Sequence, residues 1–137
     1  MTKNLTVRLP AEWEEQDAVL LAWPHEQTDW AEHLQEAQQT FCEIIRAIIR
    51  FEKVILIVPD EGKVRQKLEA SGLRLNKISL FELPYNDTWA RDFGPVTIQT
   101  EQGHLLLDFI FNGWGNKFNA VLDNQLTTKM AAAGAFG

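Results

Sequence analysis

Val54-Ile55-Leu56-Ile57-Val58, closed by Pro59-Asp60-Glu61-Gly62, is the stretch on which the fold turns. The run is too short for a buried helix, it is rich in β-branched residues, and it does not alternate with polar ones. A continuous apolar run of this length reads as a strand covered on both faces, the central strand of a sheet. Working upstream, Ala18-Val-Leu-Leu-Ala-Trp23, closed by Pro24, reads as a second buried strand. Between the two runs, Trp30, Leu34, Ala37, Phe41, Ile44, Ile45, Ile48 and Ile49 recur at helical spacing, and Asp29 with Glu32 predicts the helix start. Downstream, Val64 and Leu68 mark the inner face of a short helix that Gly72 stops, with Glu61 and Glu69 on its solvated side. Ile78 to Leu83 predicts a third strand. Phe93 to Thr100 and Leu105 to Phe109, joined by Glu101-Gln102-Gly103, predict a β-hairpin. Phe111 to Phe118 is a Gly-rich aromatic loop, and Leu122 to Ala133 predicts a last helix stopped by Gly134. Strands alternating with helices, plus a hairpin, define an α/β domain.

Composition narrows the function classes. The 137 residues fit one domain, and 45% apolar with 23% charged residues is ordinary for a globular protein. A net charge of −6 without any basic cluster argues against nucleic acid or an anionic membrane as partner, and mildly for a cationic one. Met1 to Pro10 carries charges and no apolar core, so it does not read as a signal peptide, and no apolar run is long enough to span a bilayer. The single cysteine, Cys42, excludes an internal disulfide and fits a reducing cytoplasm. Trp13, among Glu12, Glu14 and Glu15, reads as an anchor of the N-terminal segment on the core, ahead of an aromatic–acidic site for a polyamine tail.

Residues 84 to 97, Pro-Tyr-Asn-Asp-Thr-Trp-Ala-Arg-Asp-Phe-Gly-Pro-Val-Thr, carry the chemistry. A carboxylate meets a planar guanidinium through paired charge-assisted hydrogen bonds, and an indole offers its π-face to the same cation. Asp87, Trp89 and Asp92 supply those groups. A surface turn in which Arg91 neutralises Asp92 or Asp87 over a packed Trp89 accounts for the same residues equally well.

Glu12-Trp13-Glu14, Trp23-Pro24, Asn86-Asp-Thr-Trp-Ala-Arg-Asp-Phe-Gly-Pro95 and Phe111-Asn-Gly-Trp-Gly-Asn-Lys117 together resemble the agmatine deiminase family, which includes bacterial peptidyl-arginine deiminases. The resemblance runs from near Arg8 to the last residue, in the family's order and spacing. It implies a pentein fold, an α/β-propeller built of ββαβ units, of which residues 1–137 are an N-terminal part of a single domain. It implies hydrolysis of agmatine to N-carbamoylputrescine and ammonia, within polyamine metabolism, with no metal and no organic cofactor. A delocalised guanidinium is a poor electrophile and stays protonated, so an enzyme must hold it flat on carboxylates and bring a strong nucleophile to its carbon. In the family a Cys thiolate attacks, a His serves as acid and base, and water hydrolyses the amidino-cysteine. By motif position Asp92 is the carboxylate that grips the guanidinium and Trp89 is a wall of the pocket. Asp87 assists, and Asn112 and Trp114 border the same mouth.

The family's His and Cys motifs have no counterpart in these residues. Cys42 lies inside the long helical pattern and reads as a small buried hydrophobe. His25 follows Trp23-Pro24 without matching a catalytic motif, and His33 and His104 read as solvated. Arg91 between two Asp reads as a local ion-pair partner. The chain, ending in Ala135-Phe136-Gly137 just past a helix, therefore reads as the binding half of an active site, inactive alone, and expected either to homo-oligomerise through uncovered edges or to be disordered near residues 112–137. Two alternatives stay open: deimination of peptidyl or free arginine, with Arg91 holding the carboxylate, and a non-catalytic cation-binding or assembly module.

Overall fold

A computed structural model of the chain describes residues 7–137. Strands β1 (Ala18–Ala22), β2 (Lys53–Val58) and β3 (Ile78–Glu82) form a parallel sheet in the order β1-β2-β3, with Leu21 opposite Leu56 and Leu56 opposite Leu80. The predicted central strand is therefore central. Its unbroken apolar sequence follows from the two clusters it serves. Val54, Leu56 and Val58 face Cys42, Ile45, Val64 and Leu68. Ile57, with Ile55 beside it, faces Tyr85, Phe93, Leu126 and Met130. The first cluster is supplied by helices α1 (Leu34–Ile48) and α2 (Glu61–Ala70), and the second by the segments that follow β3.

Asp60 is the N-cap of α2, its carboxylate accepting from the Lys63 amide at 2.9 Å, and Glu82 at the end of β3 accepts from the Glu61 amide at 2.8 Å. Gly72 ends the helix as expected. At φ 78° it donates to the Glu69 carbonyl at 2.8 Å, and Leu73 reaches back to Leu68 at 3.1 Å.

Four sequence expectations are corrected here. The long helix begins at Leu34, after a single 3-10 turn at Ala31–His33, and no side chain caps either element. The Asp29 backbone is instead tied to a distant loop, described below. Ile44 and Trp30 are exposed despite their helical spacing. Phe93 opens no strand. It closes a helical turn, α3 (Ala90–Phe93), because Gly94 donates back to the Ala90 carbonyl at 2.9 Å, so β4 starts only at Val96. Trp13 anchors nothing, being 89% exposed, while its neighbour Glu14 is paired with Arg8.

The hairpin of β4 (Val96–Thr100) and β5 (Gly103–Leu107) is antiparallel, and Arg8 extends its edge by one bridge to Gln99. Phe109 and Ile110 leave the ladder and face outward. The one-turn element α4 (Gly113–Asn116) follows, then a 3-10 turn (Asp123–Gln125) and α5 (Leu126–Ala132), which Gly134 stops at φ 77°. No helix among the described residues is long and apolar enough to cross a membrane.

Candidate active site

Parallel strands deliver their C-terminal ends to one edge of the sheet, where β1 runs out into Trp23-Pro24 and β3 into Leu83-Pro84. Residues Tyr85 to Thr88 join three loops at this edge. The buried Tyr85 hydroxyl donates to the Trp23 carbonyl at 2.5 Å. Asn86 accepts from the Leu122 and Asp123 amides at 2.8 and 3.2 Å, while Asp123 Oδ1 accepts from the Asn86 and Asp87 amides at 2.6 and 3.3 Å. Asp87 accepts from the Asp29 amide at 2.9 Å through one oxygen and from the Thr88 amide at 2.7 Å through the other. Thr88 Oγ1 accepts from the Trp30 indole N–H at 3.0 Å.

The two carboxylates of the motif therefore have different occupations. Asp87 fastens loops, with each oxygen committed to a backbone N–H. Asp92, in α3, is exposed, and among the described residues no hydrogen bond or ion pair engages its carboxylate. Arg91 is likewise exposed and pairs with neither Asp, which corrects the expected ion pair. Adjacent residues on a helical turn point in different directions.

Trp89 opens that turn and meets Trp114 edge to face, ring centroids 5.0 Å apart. Trp114 also contacts Phe111 at 5.3 Å and Phe118 at 5.7 Å. The structure thus brings the indole of the Asp-Thr-Trp motif against the Gly-rich loop expected to border it. Both indoles remain accessible, at 41% and 45% exposure. Asn112 serves that loop from within, its side-chain oxygen accepting from the Gly115 amide at 2.9 Å.

Sequence reasoning missed Asp123 and Thr127, both buried, the latter donating from Oγ1 to the Phe93 carbonyl at 3.2 Å. Burial pushes the Asp123 carboxyl above its ordinary range, against the two amides that pull it down. A folded-state pKa raised in this way favours the protonated form. Its stabilisation is full below the ordinary carboxyl value and is lost as pH rises through the raised one. Asp123→Asn keeps an acceptor oxygen and cannot ionise. Its melting temperature relative to the parent is therefore expected to rise as the pH increases above the ordinary carboxyl value of about 4. Thermal melts across that range check this, and a constant difference would contradict it.

A cleft of about 730 Å³ at the same edge is lined by Trp23, His25, Lys63, Lys67, Glu82 and Tyr85 among others, and by none of Asp87, Trp89, Asp92, Asn112 or Trp114. His25 stacks edge-on against Tyr85 at 4.8 Å and accepts through Nδ1 from the Gln27 amide at 3.2 Å. Burial lowers its pKa, while the charges of Asp87 and Glu26 oppose that shift. Cys42 is buried in the α1 core. His33 is exposed, 3.3 Å from Glu36, and His104 is exposed on β5. No cluster of His, Cys, Asp and Glu among the described residues could hold a metal ion.

Residues 8–136 match the model of the Porphyromonas-type peptidyl-arginine deiminases. The chain belongs to this family. Among solved structures similar to this deiminase-family chain, a C. jejuni agmatine deiminase with substrate bound superposes with a TM-score of 0.85 at 33% identity, covering 96% of this chain and 38% of that one. An agmatine deiminase of Enterococcus faecalis gives 0.79 at 25% identity, covering 94% and 36%. A Vibrio parahaemolyticus protein with the provisional name agmatine deiminase is 33% identical over 118 residues, 84% of this chain and 31% of its own length. The chain thus spans about a third of the length of the relatives it matches.

Proposed function

We propose that this chain supplies the substrate-gripping half of a hydrolase that converts agmatine to N-carbamoylputrescine and ammonia. The observation that carries the proposal is the Asp92 carboxylate, exposed and without a partner among the described residues, in a motif whose other carboxylate has each oxygen engaged. An accessible anion three residues from Trp89, whose indole meets Trp114, offers what a flat cation requires, paired hydrogen bonds and a π-rich wall. Family membership and the likeness to deiminases, one of them with substrate bound, support the same chemistry.

The remaining steps need a thiolate, an acid–base group and water. The thiolate sulfur bonds to the guanidinium carbon, ammonia departs with a transferred proton, and water then attacks the carbon. The C–S bond breaks and leaves the ureido product. This sequence calls for no metal or organic cofactor. We assign the nucleophile and the acid–base group to a part of the protein outside these residues, because Cys42 is sealed in the core, His33 and His104 are exposed, and His25 lines a cleft that none of Asp87, Trp89 and Asp92 lines. In this reading the α/β sheet is part of a pentein-type propeller, residues 1–137 are an N-terminal portion of one domain, and the enzyme is cytoplasmic and homo-oligomeric.

A second reading, deimination of free or peptidyl arginine, is favoured by one observation. Arg91 is exposed without an acidic partner among the described residues, so it is free to take a substrate carboxylate. Ammonia release separates the possibilities. A protein of the relatives' length beginning with this chain is expected to act on agmatine in preference to arginine, and residues 1–137 alone on neither. Preference for arginine, abolished by Arg91→Gln, would favour the second reading. Turnover by the isolated chain would return Cys42 to consideration, and no turnover of any guanidinium compound by the long protein would favour a binding module.

A further inference from the structure

We propose that Asp123 and Thr127 act as positioning residues, forming a two-point brace that sets where Trp89 and Asp92 stand; this rests on the reading of Asp92 as the guanidinium-binding carboxylate. Among the described residues, the buried polar side chains outside the aromatic class are Thr28, Asp123 and Thr127, and two of the three sit four residues apart, Asp123 in the turn that leads into α5 and Thr127 in its first turn. Burying a carboxyl or a hydroxyl is costly unless a partner is fixed for it. The partners in both cases lie on the motif segment, one at each end.

At the leading end, Asp123 Oδ1 accepts from the Asn86 and Asp87 amides, and the Asn86 side chain accepts in return from Leu122 and Asp123. At the trailing end, the Thr127 hydroxyl donates to the Phe93 carbonyl. The platform under both pins is firm, because Leu126 and Met130 of the same stretch are fully buried in the cluster that holds Ile57 and Phe93. Trp89 and Asp92 lie between the pins. No group among the described residues holds the Asp92 carboxylate itself, so its place follows from its backbone, which the Tyr85, Asp87 and Thr88 ties hold on the leading side only and the brace holds at both ends. A displacement on the order of 1 Å at such a group lowers rate on the order of a hundredfold.

A merely structural pair would lower stability and leave the site alone. The brace predicts more. In the long protein, Asp123→Ala and Thr127→Val are each expected to lower kcat/KM for agmatine by about ten- to a hundredfold at a temperature where both remain folded. Asp123→Asn and Thr127→Ser, which retain the acceptor and the donor, are expected to stay within about threefold of the parent. The edge-to-face Trp89–Trp114 pair gives a readout that needs no turnover. Its contribution to circular dichroism, defined by difference from Trp89→Phe, is expected to weaken in Asp123→Ala and to return in Asp123→Asn.

An unaltered indole signal in Asp123→Ala would overturn the brace, as would kinetics that match the parent despite a lowered melting temperature. If the indole signal changes as expected while the parent turns over no guanidinium compound, the brace stands and the deiminase reading of Asp92 fails.

Discussion

Replacing Asp92 by Asn is expected to lower kcat/KM for agmatine at least about a hundredfold while leaving the melting temperature of the protein nearly unchanged. The two halves of this prediction come from the same fact. The carboxylate is exposed and no group of the described chain engages it, so the fold loses no interaction when its charge is removed. A bound guanidinium would lose both charge-assisted bonds. An amide keeps one acceptor and turns an NH₂ toward N–H donors. Hydrogen bonds to charged groups contribute about 1.5–3 kcal/mol each, and a hundredfold corresponds to about 2.7 kcal/mol, so the loss of one or two bonds reaches that level. Asp87→Asn should behave in the opposite way. Its oxygens hold the Asp29 and Thr88 amides, so it is expected to lower the melting temperature more than Asp92→Asn does and activity less. Steady-state kinetics and thermal melts on the two variants decide the assignment. Near-parental kcat/KM in Asp92→Asn would remove Asp92 from the site.

What the sequence made legible was local. The central strand, the second helix and its Gly72 stop are encoded in consecutive or helically spaced residues, and each lies where the pattern predicted. What it hid was non-local. Asp87 and Asp92 look equivalent in the motif, and only the fold, by bringing Asp29 across 58 positions, shows that the first is committed while the second has no partner among the described residues. Asp123 and Thr127 resemble the solvated side of a terminal helix, because their partners are backbone groups 34 to 37 residues away. The Asp29–Glu32 pattern failed as a cap because its geometry requires a chain already entering the helix, and here a 3-10 turn and the tie to Asp87 come first. Phe93 failed as a strand residue because its burial against Ile57, Leu126 and Met130, as the last residue of α3, prevailed over its β-propensity. The contact between Trp89 and Trp114 could be suspected from the motifs, but the backbone that makes it could not.

That backbone leads to the second large effect. Gly113, Trp114, Gly115 and Asn116 all have positive φ, at 64°, 57°, 78° and 63°, so α4 is a left-handed turn. It is closed by the Asn116 amide on the Asn112 carbonyl at 2.8 Å and the Lys117 amide on the Gly113 carbonyl at 3.1 Å. Left-handed backbone costs an L-residue about 1–2 kcal/mol. Trp114 bears that strain, and its edge-to-face contacts with three rings oppose it at about 0.5–1.5 kcal/mol each. Gly113 has a second constraint. A Cβ there would lie 2.2 Å from the Phe118 carbonyl oxygen and 3.0 Å from its carbon. Those are backbone atoms of a residue whose own amide reaches the Gly113 carbonyl at 3.3 Å, so neither side can withdraw without opening the turn. Gly115 has the same handedness and open space around it. Gly113→Ala is therefore expected to destabilise by about 3 kcal/mol or more and Gly115→Ala by about 1 kcal/mol. Urea titration of both variants measures the difference. Gly113→Ala should also change the Trp89–Trp114 circular dichroism, because Trp114 is presented to Trp89 by this turn alone. Equal losses in the two variants would mean that handedness, and not the close approach to Phe118, fixes the loop.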